Sequence, residues 1–487
     1  MTNQQMTPLF SKLMDHLNKK PHSFHVPGHK WGSVYPAFAR DSFASILKLD
    51  ATELTELDDL HDAQTVIKEA QHLLADAYGA ASSYFLVGGS TVGNLAMILS
   101  VCRKDDIILV QRDSHKSVMN GIQLAQATPI YLTPDYNEGT GLSSGVSLET
   151  VIKAIQTYPE AKALFLTNPS YYGITRNLNE IITTVHQYNI PVLVDEAHGA
   201  HFGFGEGLPV SALTQGADVV VQSAHKTLPA MTMGSFLHFN SALISNKKIT
   251  YYLQVLQSSS PSYPIMASLD LARHYVANLN QDEVSTIVKS SNQFKNELKE
   301  IPQVTVVELK ENALLTIDPL KITLRTNCEL TGIEMQRLLE EKDIYVELAN
   351  EEFLLLVLPL SPFKDMEFIV SILKGVLKPY KVKERILSYK TVGFPKLSSV
   401  KLTQAAMNSY ATKMVRIEES AGHLIAEPII PYPPGVPMLI PGETITEEKV
   451  ETILKLLDAE TRFQGHTNIK ETGVKVFIID ERKEEEG

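Results

Sequence analysis

Seven short apolar runs between residues 65 and 240 constrain the fold more than any other feature of the chain. They read SYFLV (83–87), DIILVQ (106–111), PIYLT (129–133), KALFLTN (162–168), IPVLVD (190–195), ADVVVQ (217–222) and GSFLHF (234–239). Each is continuously apolar rather than alternating, so a strand built from it must be covered on both faces. Helix-patterned stretches lie between them, TVGNLAMILSVC (91–102) and LNEIITTVHQY (178–188) among them. This alternation specifies an α/β domain: a mostly parallel seven-stranded sheet with helices on both sides.

At 487 residues the chain exceeds one compact core. Leu9, Leu13 and Leu17 recur every four residues and predict a short docked helix near the N-terminus. After residue 285 the pattern changes. Helices are expected over 292–301 and 332–344, and strands at VTVVEL (304–309), KITLRT (321–326) and FLLLVLPL (353–360). The polar stretch 381–398 reads as a linker or crossover. Further on, IPYPPGVPMLIPGE (430–443) holds too much proline for helix or central strand and makes a stiff loop. The expected division is an N-terminal helix and arm (1–50), a large α/β domain (51–285), a small α+β domain (286–385) and a C-terminal domain ending in an acidic tail (386–487).

Net charge is −12 without a Lys/Arg cluster, which argues against a nucleic-acid face and leaves room for a cationic ligand. No run approaches a membrane span, and the N-terminus lacks the apolar core of a signal peptide. Cys102 and Cys328 are too far apart for a metal or redox motif, and a reduced, cytoplasmic setting is expected.

Four stretches carry chemistry. In FLVGGSTVGN (85–94) a strand ends in two glycines and a helix begins at Ser90 and Thr91. Its free N–H groups suit a phosphate, or it is simply a capped helix start. In VLVDEAHGAHFGFG (192–205), Asp195 closes a strand where ligands of α/β sheets bind. It could meet a cationic ligand nitrogen, satisfy the scaffold, or join His198 and His201 on a metal. In SAHKTLPAMTMGSF (223–236), Lys226 follows a strand on the same sheet edge. Apolar surroundings favour its neutral, nucleophilic amine. In QRDSHKSVMNG (111–121), His115 reaches that edge too and could stack on a ring or serve as a structural donor. A phosphate cradle, a carboxylate and a lysine on one edge match the phosphate, ring nitrogen and aldehyde of pyridoxal phosphate.

HVPGHK (25–30), GGSTVGN, RDSHKS, TNPSYYG, VDEAHGAH, SAHK and PYPPGVPMLIPGE, in this order, resemble the bacterial ornithine/lysine/arginine decarboxylases, the short branch without a wing domain. These are pyridoxal-phosphate enzymes of the fold type I, aspartate-aminotransferase-like class. The resemblance implies that Lys226 binds the cofactor aldehyde and that Asp195 keeps the ring nitrogen protonated. His115 would stack on the ring, with Ala197 beneath it and His198 on the substrate side. Ser90, Thr91 and Ser223 would bind phosphate, and His225 would lie beside the lysine, near the phosphate or as a proton donor. Ser259 or Ser260 would reach the cofactor of a second subunit in a homodimer or dimer-based oligomer. Glu443 would face the distal cation of a basic amino acid. An aminotransferase or lyase of the same fold is the rival. A transaminase needs an arginine for the substrate carboxylate, for which Arg325, Arg337 and Arg416 are candidates.

Overall fold

The computed structural model describes residues 3–310, 313–383, 395–400, 402, 404–432, 437–458, 461–463, 465 and 468–479. All seven apolar runs form strands of one sheet. Across it the order is Ser82–Leu86, Ser235–Phe239, Val219–Gln222, Val192–Asp195, Ala163–Thr167, Ile107–Gln111, Thr128–Leu132 and Leu397–Ser399. The five strands from Val219–Gln222 to Thr128–Leu132 pair in parallel. Ser235–Phe239 pairs antiparallel with both of its neighbours.

The sheet therefore has eight strands, not seven. Leu397–Ser399, which straddles the end of the stretch read as a linker (381–398), forms the edge and pairs antiparallel with Thr128–Leu132. Three residues, two half-buried and one exposed, carry neither apolar continuity nor a two-residue period, so only backbone pairing marks them as strand.

Helix Gly89–Val101 lies directly on the sheet. A Cβ on Gly93 would sit 2.4 Å from Val221 Cγ2, so glycine permits the contact. This approach fixes the helix N-terminus at the edge where the parallel strands end. A second, antiparallel sheet orders Leu348–Ala349, Phe353–Val357, Lys321–Thr326 and Val304–Val306. One apolar core runs from Leu9 and Leu13 of helix Pro8–Asn18 through Leu132 and Val194 to Leu324 and Leu373. Ile417, Ile425, Leu439, Ile453 and Val476 build a separate core in the C-terminal part. Residues 433–436 of the proline-rich loop and the acidic tail lie outside the described residues.

Candidate active site

A cavity of about 360 Å³ opens where the parallel strands end. Ser90, Asp113, His115, Asp195, His198 and Lys226 line it from the side of the eight-stranded sheet, and Asn350 and Phe353 close it from the side of the second, four-stranded sheet. A wider hollow of about 720 Å³, between Val66–Tyr78 and Asn246–Leu256, includes none of these residues.

Asp195 ends its strand buried, and among the described residues only neutral donors satisfy it. Asn94 Nδ2 donates to Oδ2 at 2.8 Å, and the Ala197 N–H donates to Oδ1 at 3.1 Å. A buried carboxylate with neutral partners at a cavity wall suits a cationic nitrogen. Asn94 also donates to Ser117 Oγ (2.9 Å), which lies 2.9 Å from His115 Nδ1. One network thus ties His115 to the carboxylate. The Ser117 N–H caps onto His115 Nδ1 at the start of helix Lys116–Ala125. Burial lowers the His115 pKa although Asp195 opposes it, so the ring faces the cavity as neutral imidazole.

Ser223 donates to Ser90 Oγ at 2.9 Å, and Gly89 turns with φ +76° ahead of them. These hydroxyls sit at the N-terminus of the 13-residue helix Gly89–Val101, where an anion is favoured. Hydroxyls at a helix N-terminus, a buried carboxylate and an amine on one edge fit pyridoxal phosphate.

Lys226 closes the constellation. Its Nζ lies 3.1 Å from His198 Nε2. Burial pulls its pKa down, although Asp195 and Glu347 resist. On the other side of the imidazole, His198 Nδ1 lies 2.8 Å from Nζ of a second lysine, Lys321. Lys321 is 1% exposed, donates to the Tyr171 carbonyl at 2.6 Å, and is pulled by burial to a pKa of about 7. His198 itself is pushed well below its ordinary value, first by burial and then by both lysines. His201 turns elsewhere, to Asp318 at 3.1 Å.

Several expected site residues lie off the cavity wall. Thr91 is exposed, and His225 is half-buried with Nδ1 3.0 Å from the Gly234 carbonyl. Ser259 and Ser260 are exposed on the loop after helix Asn246–Leu256. Glu443, expected at the distal cation, is instead buried on Arg112, with Nη1 donating to Oε1 and Nη2 to Oε2 at 2.8 Å. Lys449 adds a third contact at 3.2 Å. The carboxylate is drawn there because two cations of the same chain neutralise it. Of the three arginines, Arg325 lies nearest, stacked on the cavity residue Phe353 at 5.1 Å with Nη2 donating to the Thr140 carbonyl. Arg337 is exposed on its helix, and Arg416 pairs with Glu418 at the surface.

Reading the sequence missed Asn94, Asp113 and Lys321. A signal for Lys321 was present: it opens the apolar strand KITLRT much as Lys226 follows ADVVVQ. Asp113 lies in QRDSHKSVMNG, a stretch singled out for His115, but nothing in the pattern set its own carboxylate apart.

The Orn/Lys/Arg decarboxylase major-domain model matches residues 7–365, and the C-terminal-domain model of that family matches 389–469. The Bacillus subtilis protein YaaO is 47% identical over 480 residues, covering 98% of this chain and 99% of its own. An arginine decarboxylase of Halalkalibacterium halodurans is 36% identical over 474 residues, 96% of each chain. The Francisella novicida lysine decarboxylase LdcF shares the fold, with TM-score 0.81 and 20% identity over 98% of this chain and 81% of that one. With this cavity and these matches along nearly its whole length, the chain belongs to the Orn/Lys/Arg decarboxylase family and is a pyridoxal-phosphate-dependent decarboxylase.

Proposed function

We propose that the protein decarboxylates arginine in preference to lysine and ornithine, yielding agmatine and CO2 for polyamine metabolism in the cytoplasm. The observation that carries the reaction is the shared cavity of Lys226, Asp195 and Ser90. The preference for arginine is supported by the whole-length similarity to an arginine decarboxylase.

Bound pyridoxal phosphate supplies an electron sink for the bond that breaks. Ser90 and Ser223, with Thr91, hold its phosphate, joined by Ser259 or Ser260 of a second copy in a homodimer. Asp195 would hold a proton on the ring nitrogen, and His115 and Ala197, which line the same cavity, would contact the ring. Lys226, whose pKa burial lowers toward the neutral amine, would hold the aldehyde. His198 lines the substrate side. Lys226 or His225 returns a proton to the substrate's α-carbon after CO2 leaves.

The far end of the substrate is an ammonium or guanidinium. Asp113 lines the cavity and is held by Gln111 (2.7 Å) and Ser143 (2.7 Å), without an ion pair to Lys or Arg among the described residues. Burial raises its pKa, as expected of a carboxylate awaiting a cation. Glu443 acts on this end through Arg112, whose chain neighbours Gln111 and Asp113 line the cavity.

Pyridoxal phosphate mixed with the purified protein should give a visible imine band that borohydride fixes onto Lys226. Arginine, lysine and ornithine then compete in a CO2-release assay with product amines identified. Equal rates on all three would remove the preference for arginine, and keto-acid production would remove decarboxylation.

A further inference from the structure

Lys226 and Lys321 approach the two nitrogens of one imidazole, at 3.1 and 2.8 Å. A neutral imidazole has one N–H and one lone pair. It can accept from one lysine only while donating to the other, and the lysine that receives must be a neutral amine. Lys321 also donates to the Tyr171 carbonyl, which either protonation state of its amine can do. Both lysines therefore cannot be ammonium while both contacts stand.

We propose that Lys226 and Lys321 share one proton through His198, and that Lys321 stores it while Lys226 acts as a neutral nucleophile. This rests on the reading of Lys226 as the amine that holds pyridoxal phosphate. In the transfer, an N–H bond of Lys226 breaks as Nε2–H forms on His198. The Nδ1–H bond of His198 breaks as a third N–H forms on Lys321. The imidazole ends in its other tautomer, one positive charge has moved from one amine to the other, and no co-reactant is needed.

The setting balances the two ends. Asp195 and Glu347 favour charge on Lys226, and Asp318 and Glu347 favour it on Lys321. His115 and His225 face the same group from the large domain, and Asp318 is itself shared with His201. The store is also built to size. Gly173, at φ +84°, leaves the slot for the Lys321 stem, since a Cβ there would meet Lys321 Cδ at 2.9 Å. Because Lys321 belongs to the small-domain strand Lys321–Thr326 and His198 to the large domain, the relay exists only while the two are docked.

The test follows imine absorbance after adding pyridoxal phosphate across the neutral-to-alkaline range, and reads the pH midpoint. In Lys321→Met the proton has no store and the repelling charge is gone. The midpoint should move alkaline by about one unit or more. In Lys321→Arg the cation persists but does not give up its proton. The midpoint should stay at or below wild type, while CO2 release falls about 10-fold or more. Should Lys321→Met not melt like wild type, Lys321→Gln replaces it with the same expected direction. An unchanged or acid-shifted midpoint in the folded neutral variant, or an alkaline shift in Lys321→Arg, overturns the shared proton. A wild-type protein that forms no imine band refutes instead the reading of Lys226 on which it rests.

Discussion

Lys226 reaches the cavity as an amine with little hydration, and its chemistry follows from that burial more than from any one partner. Lys226→Ala should retain pyridoxal phosphate weakly, take no label from borohydride and release no CO2; turnover in this variant would move the nucleophile to another lysine. Asp113 makes a prediction of the opposite kind. If it meets the distal cation, Asp113→Asn should raise KM for the basic substrate about 10- to 100-fold and change kcat less, the loss of one charged hydrogen bond. A kcat-dominated loss would assign Asp113 to the reacting end. Its raised pKa sets a sign too: the ionised form binds the cation, so affinity should rise with pH through that titration.

Among the elements, helix Gly89–Val101 does the most positioning, because its glycine contact with Val221 holds the N-terminal end that carries Ser90 against the strand edge. Gly93→Ala should cost about 1–3 kcal/mol by overpacking and weaken cofactor binding in parallel. Denaturant unfolding and cofactor titration would measure both; an unperturbed midpoint would mean that the helix can shift without loss. The seven apolar strands of the large sheet, and the strands Val304–Val306, Lys321–Thr326 and Phe353–Val357 of the second one, were legible because apolar runs marked them. The edge strand Leu397–Ser399 was not, because its pairing is a property of a distant partner, Thr128–Leu132.

At the scale of the whole molecule, the C-terminal part is fastened to the sheet by a buried cluster of Arg112, Glu443 and Lys449. Burial raises the Glu443 pKa, but Arg112 and Lys449 outweigh it and the net shift is downward. A depressed carboxyl stabilises the fold above its unfolded pKa of about 4.3, and that contribution is lost as pH falls through the folded value. Glu443→Gln should therefore destabilise the protein by about 3–5 kcal/mol near neutrality and flatten its acid melting profile. A variant as stable as wild type would show the cluster to be dispensable. The arm also points outward: Phe24 and Phe38 are 97% and 93% exposed, and Val26 and Val34 each 64%. Such side chains on one segment support coverage by a second copy. Sedimentation should give a dimer or larger, and Phe24→Ser with Phe38→Ser should shift it toward monomer.

The local pattern of residues determined the α/β class, the succession of elements, and the triad of Ser90, Asp195 and Lys226. Each lies at or just after the C-terminal end of a strand of the same mixed sheet, and because those three strands run the same way, strand direction alone brings them to one edge. Tertiary structure alone decided which further side chains share that edge. Asn94 reaches Asp195 from a helix turn and Lys321 reaches His198 from another domain, while Glu443 is turned away to Arg112. Those choices depend on which buried charge finds a partner in three dimensions, and a one-dimensional pattern does not carry that balance.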